Sequence, residues 1–307
     1  MVGRCIFVVI VGVAACSSTT SRVTEIADGG AGAPAGGTSG SSGNSTGGMA
    51  GETSSGGGSD GGASAGSSGS AGADGGQGGE PGDVIPTSGL VLWFDAERGI
   101  QSDGDAVVNW INQAGNGIDA TQLVTSYQPT LIESAGKPAL EFDGIDDLLE
   151  LPAGFDDFSA GLSAFAVVVP NAVACMPVFQ LSNGPETDDI SLQTDENLQA
   201  EYEVLTAVAE SASALQIGVP SQISALHQPP LAATLRVDGV SVGVNTSATL
   251  PQKVVRNLNA IGDGQYPGCQ NWSGLIFEII LYDRALPAAD LAQIEAYLRE
   301  KWACCPP

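Results

Sequence analysis

The chain has 307 residues, with 35 acidic and 10 basic side chains, 42 glycines and 6 cysteines, and 23 of the glycines fall between residues 28 and 83. That segment is Gly, Ser, Ala and Thr almost throughout, so 224 residues, 84–307, remain to fold, which suits one substantial core rather than two domains. Those residues carry 28 acids and 8 bases, a net charge of −20 that repels nucleic acid and anionic lipid and excludes a function built on a basic patch.

Arg4 precedes a weakly polar to apolar run, Cys5 to Ala15, about half the ~20 residues that a membrane-spanning helix needs. A basic start, a short apolar stretch and small residues at its end predict a secretory signal peptide over 1–15. Residues 16–83 follow as a tether. From Asp28 to Asp83 there is no aromatic residue and Met49 is the one large apolar side chain, so the segment cannot bury enough surface to offset the entropy of ordering. At about 5–6 Å times the square root of the residue number, a Gly-rich coil of this length holds the folded unit roughly 40 Å from its attachment point.

The run closes on Val13, Ala14, Ala15 and Cys16, which resembles the bacterial lipobox. The resemblance implies cleavage before Cys16, a diacylglycerol on its thiol and an acylated new amino terminus, which is lipidation at Cys16 and anchoring to the membrane without a spanning helix. Ser17 rather than Asp in the next position implies, by the same resemblance, the outer membrane or cell surface of a bacterial envelope.

Beyond Pro86 strand signals recur every eight to twenty residues between Gly, Pro, Asn and Asp clusters. Leu90 to Phe94 opens the series. Leu140 and Phe142 alternate with Glu141 and Asp143, as on a strand with one dry and one wet face. Ala164 to Val169 is continuously apolar and predicts a strand covered on both sides, with Met176 to Leu181 returning beside it. Asp238 and Gly239, between Leu235/Val237 and Val240/Val242, predict a two-residue hairpin with a type I′ turn. Leu275 to Tyr282 is the last strand. After Pro287, Leu291, Ile294, Leu298 and Trp302 fall on one helical stripe, with Asp290 at the positive end and Arg299 and Lys301 at the negative end. Strands dominate the rest, which predicts an all-β, antiparallel two-sheet sandwich, a jelly roll, with one C-terminal helix.

LVLWFDAERGI, WINQAGNGIDA from Trp110 to Ala120, GKPALEFDGIDDLLEL from Gly136, RVDGVSVG and SGLIFEIILYDRALPAADLAQIEAYLREKW resemble, in order, the concanavalin A-like lectin/glucanase superfamily and its laminin G-like jelly-roll domains. The resemblance spans nearly all of 86–302 and implies one such domain over 84–307. Asn112 and Ala114 stand where that family often has Asp and Ser, so the polar contacts of those two positions are not carried over. The resemblance further implies a surface-displayed binding module for carbohydrate or a glycosylated partner. Two alternatives are a glycoside hydrolase or polysaccharide lyase with atypical residues, and a protein-binding adhesin domain.

Glucanases of this superfamily place acids in an E-x-D-x-x-E pattern on one strand, which no segment here reproduces. Glu201 and Glu203 alternate without a third acid, which predicts a solvated strand face. His227, the one histidine, precedes Gln228, Pro229 and Pro230 and is expected in a loop. Calcium is the one cofactor in view, because hard cations take clustered oxygen ligands. Asp143, Asp146 and Asp147 crowd one turn, and Glu186, Asp188 and Asp189 crowd another, the first set being preferred. For stacking on a sugar, Trp93, Trp110, Phe142, Phe165, Phe277 and Trp302 lie in apolar patterns. Tyr127, Tyr202 and Tyr266 sit in polar settings and are the carbohydrate-binding candidates.

With Cys5 removed and Cys16 lipidated, Cys175, Cys269, Cys304 and Cys305 remain in an oxidising compartment and permit three pairings. Adjacent cysteines bridge only in a strained ring. Cys175 and Cys269 are therefore expected each to pair with one of Cys304 and Cys305, with a Cys175 to Cys269 bridge as the alternative.

Overall fold

The computed structural model describes residues 85–185, 187–264 and 268–303. The signal peptide, the tether, Cys16, Glu186, Tyr266, Cys304 and Cys305 lie outside the described residues. Among the described residues seventeen strands run antiparallel and one α-helix follows them: β1 Leu90–Asp95, β2 Ile100–Asp103, β3 Ala106–Trp110, β4 Ala120–Thr121, β5 Thr130–Ser134, β6 Lys137–Asp143, β7 Leu149–Leu151, β8 Leu162–Pro170, β9 Met176–Ser182, β10 Ile190–Thr194, β11 Gln199–Val204, β12 Ala207–Ala214, β13 Ser221–Gln228, β14 Ala232–Val237, β15 Val240–Asn245, β16 Leu258–Ile261, β17 Ser273–Tyr282 and α1 Ala288–Trp302.

Two sheets result. In the first, β17 pairs along one side with β8 and along the other with β6 and then β1, while β8 continues through β13 and β14 to β15 and β6 pairs with β5. The second runs β2, β3, β4, β7, β16, β9, β10, β11, β12. A single pairing, Ala106 with Thr130, joins them into one nearly closed sheet. The apolar side chains of both sheets meet in one core that includes Phe94, Trp110, Leu140, Phe165, Phe179, Tyr202 and Ile276.

Each strand's burial follows its pattern. All nine residues of β8 are buried, as an unbroken apolar run between two neighbours requires, and along β11 Ala200, Tyr202 and Val204 face the core while Gln199, Glu201 and Glu203 are half-buried on the other side. The hairpin forms with Val237 opposite Val240 and with φ of 52° at Asp238 and 80° at Gly239, the two positive values of a type I′ turn. Helix α1 buries Leu291, Ile294, Leu298 and Trp302, as their spacing predicts, and begins just after Pro287. It packs on β13 of the first sheet. Among the described residues no helix is long and apolar enough to cross a membrane.

One strand neighbour differs from expectation. Met176–Ser182 does not return beside β8: it pairs with β10 and β16 in the opposite sheet. Both faces of β8 are already covered and its two edges are taken by β13 and β17, so the turn after Pro170 carries the chain across the sandwich. The cysteine pairing is also corrected. Cys175, in that crossing turn, is bonded to Cys269, with Cα atoms 4.6 Å apart. The bridge closes a loop of 94 residues between the crossing turn and the approach to β17.

Candidate functional site

The register of the second sheet lines up its outward side chains. Glu150, Ala260, Gln180, Ser191 and Glu203 stand opposite one another from β7 to β11, and Gln193, Glu201 and Glu210 form a second row. Within this polar face Ser191 Oγ donates to Gln193 Oε1 at 2.7 Å, and Gln193 Nε2 donates to Glu201 at 3.0 Å and to Glu203 at 3.2 Å. One amide thus holds both glutamates, which sequence reading placed on a solvated face. Burial pushes the Glu201 carboxyl above the usual carboxylate range.

At the end of this face lies a rim built from two short turns. Leu123 to Gln128 forms the first, and two buried glutamines shape it: Gln122 Oε1 accepts from Val124 N–H at 2.9 Å and Gln128 Nε2 donates to Gln122 C=O at 2.7 Å. The turn presents the Tyr127 ring, 40% exposed, beside Leu123 and Val124. Asp143 to Leu148 forms the second. Asp143 Oδ1 accepts from Ile145 N–H at 2.8 Å and Asp146 N–H at 3.3 Å, and Asp147 Oδ2 accepts from Asp143 N–H at 2.9 Å. Leu148 N–H donates to Tyr127 C=O at 3.0 Å and Gln122 Nε2 donates to Leu148 C=O at 3.4 Å, so the two turns are fixed side by side. Asn271 Nδ2 donates to Asp147 C=O at 3.2 Å, which brings the loop after β16 to the same rim.

Asp143, Asp146 and Asp147 each offer an oxygen, and these atoms lie within 4.8 Å of one another. One ion can touch ligands so spaced, since calcium–oxygen distances of about 2.3–2.6 Å allow pairs up to roughly 5 Å apart. Burial, together with the negative charges of Asp143, Asp146 and Glu141, pushes the Asp147 carboxyl up to about 6. The donor set therefore fits a hard cation. Of the other acidic turn, Glu186 is outside the described residues, Asp188 C=O accepts from Arg256 and Asp189 is buried.

Tyr202 is corrected as a sugar platform. It is fully buried, and its hydroxyl meets His227 Nδ1 at 3.1 Å. The glutamates on either side make its setting look polar, but strand alternation turns the ring between them into the core. His227 is corrected too: it lies in β13 rather than a loop, fully buried, with Nε2 donating to Ala248 C=O at 3.1 Å and Nδ1 accepting from Tyr202. Both ring nitrogens are satisfied in the neutral form, and burial holds the imidazole below its ordinary value of 6.5. Below about 6.5 the unfolded chain takes up a proton that the folded chain resists, so this residue's contribution to stability is lost as pH falls. Asp147 acts with the opposite sign from about 6 downward, since its folded form binds protons more readily. The comparison must therefore be between variants. His227→Gln is expected to be less stable than the native chain at pH 7, with the gap narrowing by pH 5 in urea titrations. A gap independent of pH would refute this.

Asn112 also departs from expectation, because it keeps a full polar role. Its Oδ1 accepts from Trp93 N–H at 2.8 Å and Ala114 N–H at 3.0 Å, and its Nδ2 donates to Val91 C=O and Asn116 Oδ1, both at 2.9 Å. An amide here binds acceptors that a carboxylate would repel.

No family model and no curated protein sequence matches this chain. Among solved structures it is similar to Trypanosoma rangeli sialidase in complex with sialic acid, at 15% identity and a TM-score of 0.51 over 73% of this chain and 35% of the sialidase. It is likewise similar to domain 4 of AbnA, a GH43 extracellular arabinanase from Geobacillus stearothermophilus, in complex with arabinotriose, at 17% identity and a TM-score of 0.51 over 67% of this chain and 98% of that domain. The likeness is one of fold. The chain spans about a third of the sialidase but matches the arabinanase domain over almost its whole length.

Proposed function

We propose that the chain is a lipid-anchored binding module of lectin-like, laminin G-like fold, displayed on a bacterial envelope, that takes carbohydrate or a glycosylated partner. One observation carries the reading: the turn that exposes Tyr127 is tied, through the Leu148 N–H to Tyr127 C=O bond, to the turn that holds three clustered carboxylates. A ring face meets the C–H side of a sugar, and a calcium ion on Asp143, Asp146 and Asp147 would bind its hydroxyls. Neighbours of like fold support it, one being a domain solved with arabinotriose. Fold alone does not fix function, and the site rather than the likeness bears the argument.

The full chain is expected to bind a subset of a glycan array and to lose that binding in chelator. No binding to any glycan, with or without calcium, would refute the reading. A glycoside hydrolase is the second reading, favoured by the raised Glu201 carboxyl beside Glu203. Reducing-end release that Glu201→Gln abolishes would put it first. Anchoring has its own test: Cys16→Ser is expected to move the protein from the detergent phase to the aqueous phase, and unchanged partitioning would contradict it.

A further inference from the structure

Far from the rim, three charged side chains from the two ends of the folded unit meet under helix α1. Asp95 closes β1 and Glu278 lies directly opposite it on β17, so both carboxylates leave the sheet on one face. Both are fully buried. Lys301, from the last turn of α1, reaches between them with Nζ 2.6 Å from Asp95 Oδ1 and 2.9 Å from Glu278 Oε2. The surroundings are aromatic: Nζ lies 4.6 Å from the Trp302 ring centroid and 5.4 Å from that of Tyr297. Trp93 Nε1 and Trp302 Nε1 donate to the two oxygens of Glu278 at 2.6 and 2.7 Å, and Tyr297 O–H donates to it at 3.0 Å.

An ion pair of this kind is costly to keep dry, whereas its neutral form, an amine beside a carboxylic acid, is not. Burial lifts the Glu278 carboxyl, with the Asp95 charge adding to the effect and Lys301 opposing it. Lys301 Nζ, once it has given up its proton, is a nucleophile held against a carboxyl carbon, and fixed proximity of this sort replaces a bimolecular encounter. The Asp95 carboxyl is arranged unequally. Oδ1 also accepts from Glu97 N–H at 2.9 Å, a donor placed to hold negative charge as it develops, while Oδ2 makes no hydrogen bond among the described residues and lies 3.4 Å from Arg98 Nε.

We propose that Lys301 and Asp95 form an intramolecular isopeptide bond, with Glu278 as the proton carrier. Glu278 takes a first proton from the Lys301 ammonium and delivers it to Asp95 Oδ2, and Lys301 Nζ attacks Asp95 Cγ. The second proton lost from nitrogen passes through Glu278 to the same oxygen as the Cγ–Oδ2 bond breaks, so Oδ2 leaves as water carrying both protons. The ammonium and carboxylate become an amide and one water, Glu278 is regenerated, and no oxidant or cofactor is consumed. The product joins the first strand to the C-terminal helix and closes nearly the whole folded unit into a covalent ring.

The test uses the full chain, reduced, denatured and digested with a glutamyl endoprotease. The peptide ending at Glu97 is expected joined to the peptide beginning at Lys301, with a mass one water below their sum. Glu278→Gln is expected to lower that branched peptide at least tenfold, while Arg236→Gln leaves it unchanged. Recovery of the two peptides only as separate species from the native chain overturns the proposal, whether or not the variants fold. A branched peptide at native level in Glu278→Gln overturns it as well.

Discussion

Arg256→Met is expected to destabilise the folded unit by about 3–5 kcal/mol, since several buried carbonyls lose their donor at roughly 1–3 kcal/mol apiece. Arg256 is fully buried and among the largest enclosed side chains. Its guanidinium meets carbonyls rather than a carboxylate: Nε donates to Asp188 C=O and Nη1 to Phe155 C=O, both at 2.5 Å, with Val254 at 3.3 Å and Gln252 at 3.2 Å. Its backbone exchanges bonds with Gly154 at 2.8 and 2.9 Å, and its guanidinium carbon lies 5.9 Å from the Phe158 ring centroid. One side chain thus ties three irregular segments that have few strand hydrogen bonds of their own. Methionine fills much of the volume and leaves those acceptors buried without their donor. For a domain of this size the loss corresponds to a fall of roughly 10 °C in Tm. Calorimetry of the variant checks it, and a change below about 1 kcal/mol would show that water replaces the guanidinium freely.

Glu278→Leu is expected to have an effect of similar size, about 3–5 kcal/mol, by a different route. Four donors converge on that carboxylate: two indole N–H groups, the Tyr297 hydroxyl and Lys301 Nζ. Leucine satisfies none of them and leaves Lys301 with Asp95 and the Tyr297 oxygen. Because Tyr297, Lys301 and Trp302 all belong to α1, the loss falls on the seam between helix and sheet. A second link, Arg236 Nε to Glu295 at 2.6 Å, holds the middle of the helix. Amide exchange is therefore expected to accelerate most in the last two turns of α1, while β8 and β17 keep their protection. Uniform acceleration across the sheet would mean that Glu278 supports the core and not the helix.

The elements were legible where period and environment agree. The unbroken run of β8, the alternation of β6, the Asp238–Gly239 turn and the stripe of α1 each predict their own burial. What could not be read was pairing between distant segments. Nothing local tells Met176–Ser182 which sheet to join, or Cys175 that Cys269 lies within bonding reach, because both depend on how the crossing turn is placed. Tyr202 shows a different failure. Its neighbours Glu201 and Glu203 suggest an exposed strand, yet Ala200, Tyr202 and Val204 at every second position already mark the inner face. The acidic turn was visible as a cluster. Its closeness to Tyr127 was not, since it depends on Gln122 and Gln128, whose amides act on backbone groups and leave no pattern in sequence. Arg256 is equally silent, because its hydrogen bonds go to backbone carbonyls, which leave no pattern in sequence.

The central claim is that Tyr127 and the adjoining carboxylates form the binding surface. Tyr127 is exposed and its side chain takes no part in the core, so Tyr127→Ala is expected to leave Tm nearly unchanged. Titration of the native chain and of Tyr127→Ala with the glycan that binds most tightly, in calcium, measures the claim most directly. The account predicts at least a tenfold weaker Kd for the variant at unchanged Tm, and equal affinity of the two proteins would contradict it.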